Sequence, residues 1–144
     1  MNETIRKFGH PATLVRDYQH WVVLLRPAQP TLGSLVLGSK SDATAFSALD
    51  PAEFGELATV TRDIETALKA AVDYARINYL MLMMIDPHVH FHVIPRYEGT
   101  RSACGLTIPD AGWPKPPVLS EAVALDEGQI AAMIEWLTGY WPRR

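Results

Sequence analysis

Three histidines stand at every second position of one short apolar run, His88-Val89-His90-Phe91-His92-Val93. Alternate side chains of a β-strand point to opposite faces, so a strand here would place the three imidazoles on one face and the apolar residues on the other. An imidazole near neutral pH can act as a nucleophile, a proton carrier or a metal ligand. Because burying three imidazoles in a core would be costly unless every ring nitrogen found a partner, the spacing indicates a reactive surface rather than packing.

A metal site is one interpretation of this run. On a strand, His90 lies about 7 Å from either neighbour and the outer histidines lie about 13 Å apart, whereas zinc–nitrogen bonds are about 2.0–2.1 Å long. One ion cannot comfortably reach all three rings. A metal-dependent hydrolase would therefore use His90, one neighbouring histidine and Asp86. The chain has only one cysteine, so few further ligands are available. We therefore expect no metal and no cofactor. The metal-dependent hydrolase remains the alternative.

A nucleophile suits the spacing better than a metal ligand. His90 is flanked on both sides by imidazoles that can hydrogen-bond to substrate oxygens. A neutral imidazole attacks phosphorus well once its other nitrogen donates to a carbonyl, which fixes the tautomer. The covalent route divides one difficult displacement into two easier ones. The pattern therefore favours His90 as the nucleophile, with His88 and His92 assisting it.

The same residues resemble the hallmark of the histidine triad, or HIT, superfamily of nucleotide hydrolases and transferases. That hallmark is His-x-His-x-His followed by two apolar residues, which stands here as residues 88–94. It continues into Ile94-Pro95-Arg96-Tyr97, a common continuation in that family. The resemblance covers roughly residues 12–97 and implies a HIT-like fold.

The resemblance extends upstream and departs from the family at two places. Residues 26–37 are similar to the family's first hairpin, where a Gly-His pair commonly stands at the place of Gly33-Ser34. Many members have an amide shortly before the triad, near the scissile phosphate oxygen, and Met84 stands at that place here. Many also have an acidic or amide residue for the ribose hydroxyls near Arg26. These departures concern the surroundings of the phosphate and leave the nucleophile in place.

The resemblance implies a nucleotidyl hydrolase or transferase that acts at the α-phosphate of a nucleoside phosphate conjugate. The conjugate would be a dinucleoside polyphosphate, a phosphoramidate or a nucleotide sugar. His90 would form a nucleotidyl-histidine that water then cleaves, while His88 and His92 orient it, hold phosphate oxygens and help to protonate the leaving group. The expected substrate-binding residues are Arg96, Arg26 and Ser34. Met84 in place of an amide leaves a non-catalytic nucleotide-binding protein as a further alternative.

Composition limits the class of protein. The 144 residues are the size of one domain, and 48% hydrophobic residues suffice for an ordinary core. A net charge of −3 argues against a protein that binds a DNA or RNA duplex by neutralising its backbone. One cysteine fits a reducing compartment, and no apolar run approaches membrane-spanning length. We expect a cytoplasmic protein with a small nucleotide-type substrate, and the resemblance implies a homodimer that pairs through the long helix and the post-triad segment.

The order of elements predicts an α+β domain with an antiparallel sheet of about five strands over residues 1–144. Asp50-Pro51-Ala52-Glu53 has the residues of a helix start, and the apolar spacing that follows predicts one long helix of about 24 residues. Residues 1–11 are predicted to be a polar arm, residues 78–85 a strand, and residues 96–119 a long loop. Asp126 is predicted to cap a C-terminal helix that runs to about residue 140.

Overall fold

The computed structural model describes residues 1–143 and has a five-stranded sheet at its centre. Arg144, the last residue of the predicted domain, lies outside the described residues. In this part of the chain the strands are β1 (Leu14–Asp17), β2 (Trp21–Leu25), β3 (Ala28–Gln29), β4 (Leu35–Ser39), β5 (Arg76–Leu80), β6 (His90–Arg96), β7 (Thr100–Ala103), β8 (Leu106–Pro109) and β9 (Val123–Ala124). The helices are α1 (Glu3–Lys7), α2 (Pro51–Val72) and α3 (Glu127–Thr138), with a short 3₁₀ turn at Phe46–Ala48.

The central sheet has the strand order β1-β2-β4-β6-β5, and every neighbouring pair is antiparallel. Strands β2 and β4 are buried along their whole length because both faces of the sheet are covered. The larger core lies on the face that packs against α2 and α3, and a smaller apolar cluster lies under α1. The predicted α+β class and five-stranded antiparallel sheet are confirmed.

The two long helices begin where their capping residues stand. Asp50 accepts a hydrogen bond from the Glu53 backbone N–H at 3.1 Å and so caps α2. Helix α2 has 22 residues, close to the predicted length, and ends at Asp73 in the left-handed region with φ 53°. Asp126 and Gln129 form a reciprocal capping box at the start of α3. Among residues 1–143, no helix is long and apolar enough to cross a membrane.

The prediction of a polar arm at residues 1–11 is wrong, because residues 3–7 form α1. Asn2 caps this helix by accepting from the Ile5 backbone N–H at 3.0 Å. Ile5 is only 1% exposed and packs in the cluster that contains Val22 and Val36. A Cβ at Gly38 would lie 3.0 Å from Ile5, so this glycine lets the helix approach the sheet closely. One buried isoleucine thus docks a short helix that is otherwise polar.

Two further segment predictions need correction. The strand predicted at residues 78–85 ends at Leu80, and the chain leaves the sheet through a loop in which Met83 has a φ of 51°. The loop predicted at residues 96–119 contains the β7–β8 hairpin. Its turn is Cys104-Gly105, where both residues have positive φ (54° and 75°), as a two-residue hairpin turn requires.

Candidate active site

The fold places His90 and His92 in β6, between β4 and β5. The side chain between them, Phe91, points the other way and packs against the rings of Trp21 and Tyr79 at 6.3 and 6.4 Å between centroids. His90 is 2% and His92 7% exposed. The alternation inferred from the sequence therefore holds for these two histidines, which share the face that α1 covers.

His90 has one ring nitrogen fixed by the backbone. Its Nδ1 lies 2.7 Å from the carbonyl oxygen of His88. A carbonyl can only accept, so Nδ1 is the donor and the neutral ring has its lone pair on Nε2. His90 also lines a cavity of about 400 Å³. The arrangement is that of a neutral imidazole whose remaining nitrogen can act as a base or a nucleophile.

His92 has the opposite tautomer. The Arg26 guanidinium donates through Nε to His92 Nδ1 at 3.3 Å, so the hydrogen of the neutral ring is on Nε2. Burial, the Arg26 charge and the His90 ring lower the pKa of His92 to about 4, although Asp86 acts in the opposite direction. At neutral pH His92 is therefore an uncharged hydrogen-bond donor.

His88 lies outside the strand, since β6 begins at His90. Its ring Nδ1 is 2.9 Å from the hydroxyl of Thr4 in α1. Among the described residues that line the cavity, His88 does not occur. The sequence predicts that strand alternation brings all three rings to one pocket. The structure shows this for His90 and His92, because His88 precedes the strand. The part of His88 that acts on His90 is its backbone carbonyl.

The cavity beside the two strand histidines has mostly apolar walls. Its other lining residues come from α1, β2–β3, the loop after β5 and the segment before β9: Lys7, Phe8, Arg26, Leu82, Met83, Met84, Ile85, Asp86 and Leu119. Lys7 and Asp86 form an ion pair at 2.7 Å. Met84 and Ile85 are 87% and 84% exposed, so an apolar lip stands at the cavity.

Helix α1 supplies parts of the site that the sequence analysis missed. The Phe8 ring packs against the rings of His90 and His92, with centroids 5.6 and 5.5 Å apart. Thr4 contacts His88, and Lys7 reaches the cavity. The available signal was local: Asn2 is a good helix cap and Ile5 is an isolated apolar residue in the first turn.

Of the three expected substrate-binding residues, Arg26 is the one beside the strand histidines. Arg96 is 4% exposed and makes an ion pair with Asp110, with nitrogen–oxygen distances of 2.7 and 3.0 Å. It also donates to Asn78 at 2.8 Å and to the Lys115 carbonyl at 2.7 Å. Its guanidinium lines a separate groove and organises the segment after β8.

Ser34 belongs to the turn that enters β4. It is fully buried, and its hydroxyl donates to the Thr31 carbonyl at 2.9 Å. Gly33, next to it, has a φ of 88°. The Gln29 side-chain oxygen accepts from the backbone N–H of Gly33 and Ser34 at 2.9 and 3.1 Å. The structure thus places Ser34 in the hairpin and away from the cavity.

The metal alternative finds no ligand set in the part of the chain that the structure describes. No group of three or more His, Cys, Asp or Glu side chains there is arranged to hold a metal ion. Asp86, the carboxylate proposed for that role, is paired with Lys7.

Comparison with known proteins shows the family and the fold of this chain. The family model of the HIT domain matches residues 10–99. A histidine triad protein from Bradyrhizobium japonicum is 22% identical over 99% of this chain and 97% of its own, with a TM-score of 0.76. One from Sinorhizobium meliloti 1021 is 22% identical over 97% and 95%, with a TM-score of 0.75. A zinc-bound histidine triad family protein from Mycobacterium smegmatis is 16% identical over 94% and 90%, with a TM-score of 0.59.

These structural likenesses show a shared fold. The search among curated proteins gave no match. Because the family model covers most of the chain and includes all three triad histidines, this protein belongs to the HIT domain family.

Proposed function

We propose that this chain is a nucleotidyl hydrolase or transferase that acts at the α-phosphate of a nucleoside phosphate conjugate. Membership of the HIT family supports a nucleotide-binding or hydrolase role. The observation that carries the proposal is the 2.7 Å contact between His90 Nδ1 and the His88 carbonyl. That contact leaves the lone pair on Nε2, the nitrogen that a nucleophile needs.

The proposed reaction has two displacements at phosphorus. In the first, the His90 Nε2 lone pair forms a bond to the α-phosphorus. The bond from phosphorus to the leaving group breaks and gives its electron pair to that group, which takes up a proton from solvent. In the second, the oxygen of water bonds to the same phosphorus and loses a proton to solvent, while the bond from phosphorus to Nε2 breaks and returns its electron pair to the neutral imidazole, which releases the nucleotide. In a transferase, another acceptor takes the place of water. His92 would donate its Nε2 hydrogen to a phosphate oxygen in both steps.

Arg26 is the cation that we assign to this site. It donates to His92 Nδ1 at 3.3 Å and lines the cavity, so it would set the His92 tautomer and add positive charge near the phosphate. We do not assign Arg96 or Ser34 to substrate binding. The Arg96 guanidinium is bonded to Asp110, and the Ser34 hydroxyl is bonded to the Thr31 carbonyl. His88 keeps a role through its carbonyl.

The walls of the cavity favour a leaving group without several negative charges. Its cations are Arg26, which also donates to the Ala28 carbonyl, and Lys7, which is paired with Asp86. The rest of the lining is largely apolar. A polyphosphate leaving group would give up the water around its negative charges when it entered this cavity, and both cations there already have partners. Among the three conjugates, this favours the phosphoramidate.

A non-catalytic nucleotide-binding protein is the second candidate. Met84 is 87% exposed at the place where an amide is common in the family, and its side chain cannot donate to a phosphate oxygen. This candidate predicts tight nucleotide binding without turnover.

We also propose a cytoplasmic homodimer. Exposed apolar side chains on the long helix and in the post-triad segment, such as Phe54 (40% exposed) and Val118 (36%), would be covered in a dimer. A stable dimer would bury more than about 1,000 Å² in total. Sedimentation that shows monomer alone at micromolar concentration would contradict this assembly.

The function is tested by a turnover panel of nucleotide phosphoramidates, dinucleoside polyphosphates and nucleotide sugars on the wild-type protein and on His90→Ala. His20→Ala is the matched control, because His20 lies in the β1–β2 turn, away from the residues that line the cavity. Phosphoramidate turnover in the wild type and the control, but not in His90→Ala, is expected. No turnover of any substrate, together with nucleotide binding, would favour the second candidate.

A further inference from the structure

We propose that Thr4 in α1 is a positioning residue for His90 and acts through His88. The inference rests on the proposed function, since it takes His90 as the nucleophile. It goes beyond that function because α1 lies outside residues 10–99, the part of the chain that matches the family model.

Thr4 holds His88 at two points through one oxygen. Its side chain is buried, with the residue 3% exposed. The His88 backbone N–H donates to Thr4 Oγ1 at 3.4 Å, and His88 Nδ1 lies 2.9 Å from the same oxygen. The backbone N–H can only donate, so the Thr4 oxygen accepts there. The contact with Nδ1 is a second hydrogen bond between the same two residues, and its direction follows the His88 tautomer.

The position of the His88 backbone decides the tautomer of His90. The His88 carbonyl accepts from His90 Nδ1 at 2.7 Å. If His88 turned, this carbonyl would move, and the His90 hydrogen could shift to Nε2 and remove the lone pair. The peptide that carries this carbonyl is bonded on its far side, where the Val89 N–H donates to the Ala43 carbonyl at 3.1 Å. The Thr4 hydroxyl bonds the N–H and the ring of His88 itself, and so holds the residue from its other side.

Helix α1 is held against the sheet by contacts that do not involve Thr4. The Asn2 side chain donates to the carbonyls of Ser39 and Ser41, both at 2.9 Å. Ile5 is buried over the sheet. Removing the Thr4 hydroxyl should therefore leave the helix docked and loosen only the contact with His88.

The activity test compares Thr4→Val, which keeps the shape and removes the hydroxyl, with Thr4→Ser, which keeps the hydroxyl. For phosphoramidate hydrolysis we expect kcat to fall about tenfold in Thr4→Val with KM little changed, and to stay near the wild-type value in Thr4→Ser. Thr61→Val is the control, because the Thr61 hydroxyl bonds to its own helix at Leu57. Equal losses in the two Thr4 variants would overturn the proposal.

The second readout needs no turnover. Long-range ¹H–¹⁵N NMR at pH 8 reports which nitrogen of each histidine ring carries the hydrogen. We expect His90 in the Nδ1–H form in the wild type and a mixture of forms in Thr4→Val. An unchanged His90 tautomer in Thr4→Val overturns the proposal whatever the rate does. If the wild type has no activity but the tautomer responds, the proposed function fails and the positioning contact stands.

Discussion

Strand β6 has a polar side chain at each end, His90 at a cavity and Arg96 at a groove, and the two differ in how many hydrogen bonds they make within the fold. Arg96 ends β6 with its guanidinium bonded to Asp110, Asn78 and the Lys115 carbonyl. His90 begins the strand with one nitrogen bonded to a carbonyl and the other left for a cavity. A fully bonded cation orders the chain around it, whereas an imidazole with one free lone pair can react. The hydrogen bonds that each side chain makes within the fold therefore distinguish a structural role from a candidate catalytic role better than the sequence motif does.

The largest expected effect is the loss of turnover in His90→Ala. Removing the nucleophile should lower kcat at least about a thousandfold. The fold should survive, because the removed ring lies at the cavity wall and not in the main core. Phosphoramidate turnover and thermal unfolding, measured on the same preparation, check both statements. Near-normal turnover in this variant would rule out covalent catalysis by His90.

Substitution of Arg96, at the other end of β6, should lower the stability of the fold rather than the turnover. Arg96→Leu leaves the buried Asp110 carboxylate without its ion-pair partner, so we expect a loss of about 3–5 kcal/mol in the free energy of unfolding. Turnover per folded molecule should change little. Urea unfolding measures the free energy of unfolding, and initial rates at low temperature measure turnover per folded molecule. Arg76→Leu is the control, since Arg76 is exposed and bonds to the neighbouring Ala75 carbonyl.

The pH dependence of stability should follow His92. The pKa of its folded-state imidazole is about 4, below the ordinary value of 6.5, so the unfolded chain binds more protons between these values. The stabilising contribution is complete above about pH 6.5 and is lost as the pH falls toward 4. For this one group we expect a loss of about 2 kcal/mol between pH 7 and pH 5. Urea unfolding at both values, in wild type and His92→Gln, isolates it; equal pH slopes in the two proteins would contradict the assignment.

The smallest expected effect is at Met84. Met84→Gln places an amide donor at the cavity and should raise kcat/KM for the phosphoramidate by about two- to tenfold, the range for one added hydrogen bond. Stability should not change, because this side chain is 87% exposed. Met84→Leu controls for the loss of sulfur. A rate that falls in Met84→Gln and holds in Met84→Leu would show that the apolar lip itself binds substrate.

Local signals were enough to predict much of the fold. Asp50 and Pro51 mark the start of α2, and Asp126 marks the start of α3. The alternation at His90 and His92 predicts the strand and the face that these two side chains share. These features depend on residues within a few positions of one another, which is the range over which caps and strand periodicity act.

The missed features depend on contacts between distant residues. Helix α1 has a local cap at Asn2, but its docking depends on the fit of Ile5 over Gly38, and its Thr4 contacts His88, which is 84 positions away. The resemblance suggests Arg96 as a phosphate contact, whereas its ion pair joins it to Asp110, in a segment that the sequence predicts to be a loop. No periodicity in the sequence records such pairings, since they are set by the packing of the whole chain.

Covalent catalysis by His90 is tested most directly by the configuration at phosphorus. A nucleoside phosphoramidate that carries sulfur at the α-phosphorus, of known configuration, would be hydrolysed in ¹⁸O-water and the product configuration determined by ³¹P NMR. Two displacements, with a nucleotidyl-His90 between them, predict net retention. Net inversion would mean that water attacks the phosphorus directly and that His90 is not the nucleophile.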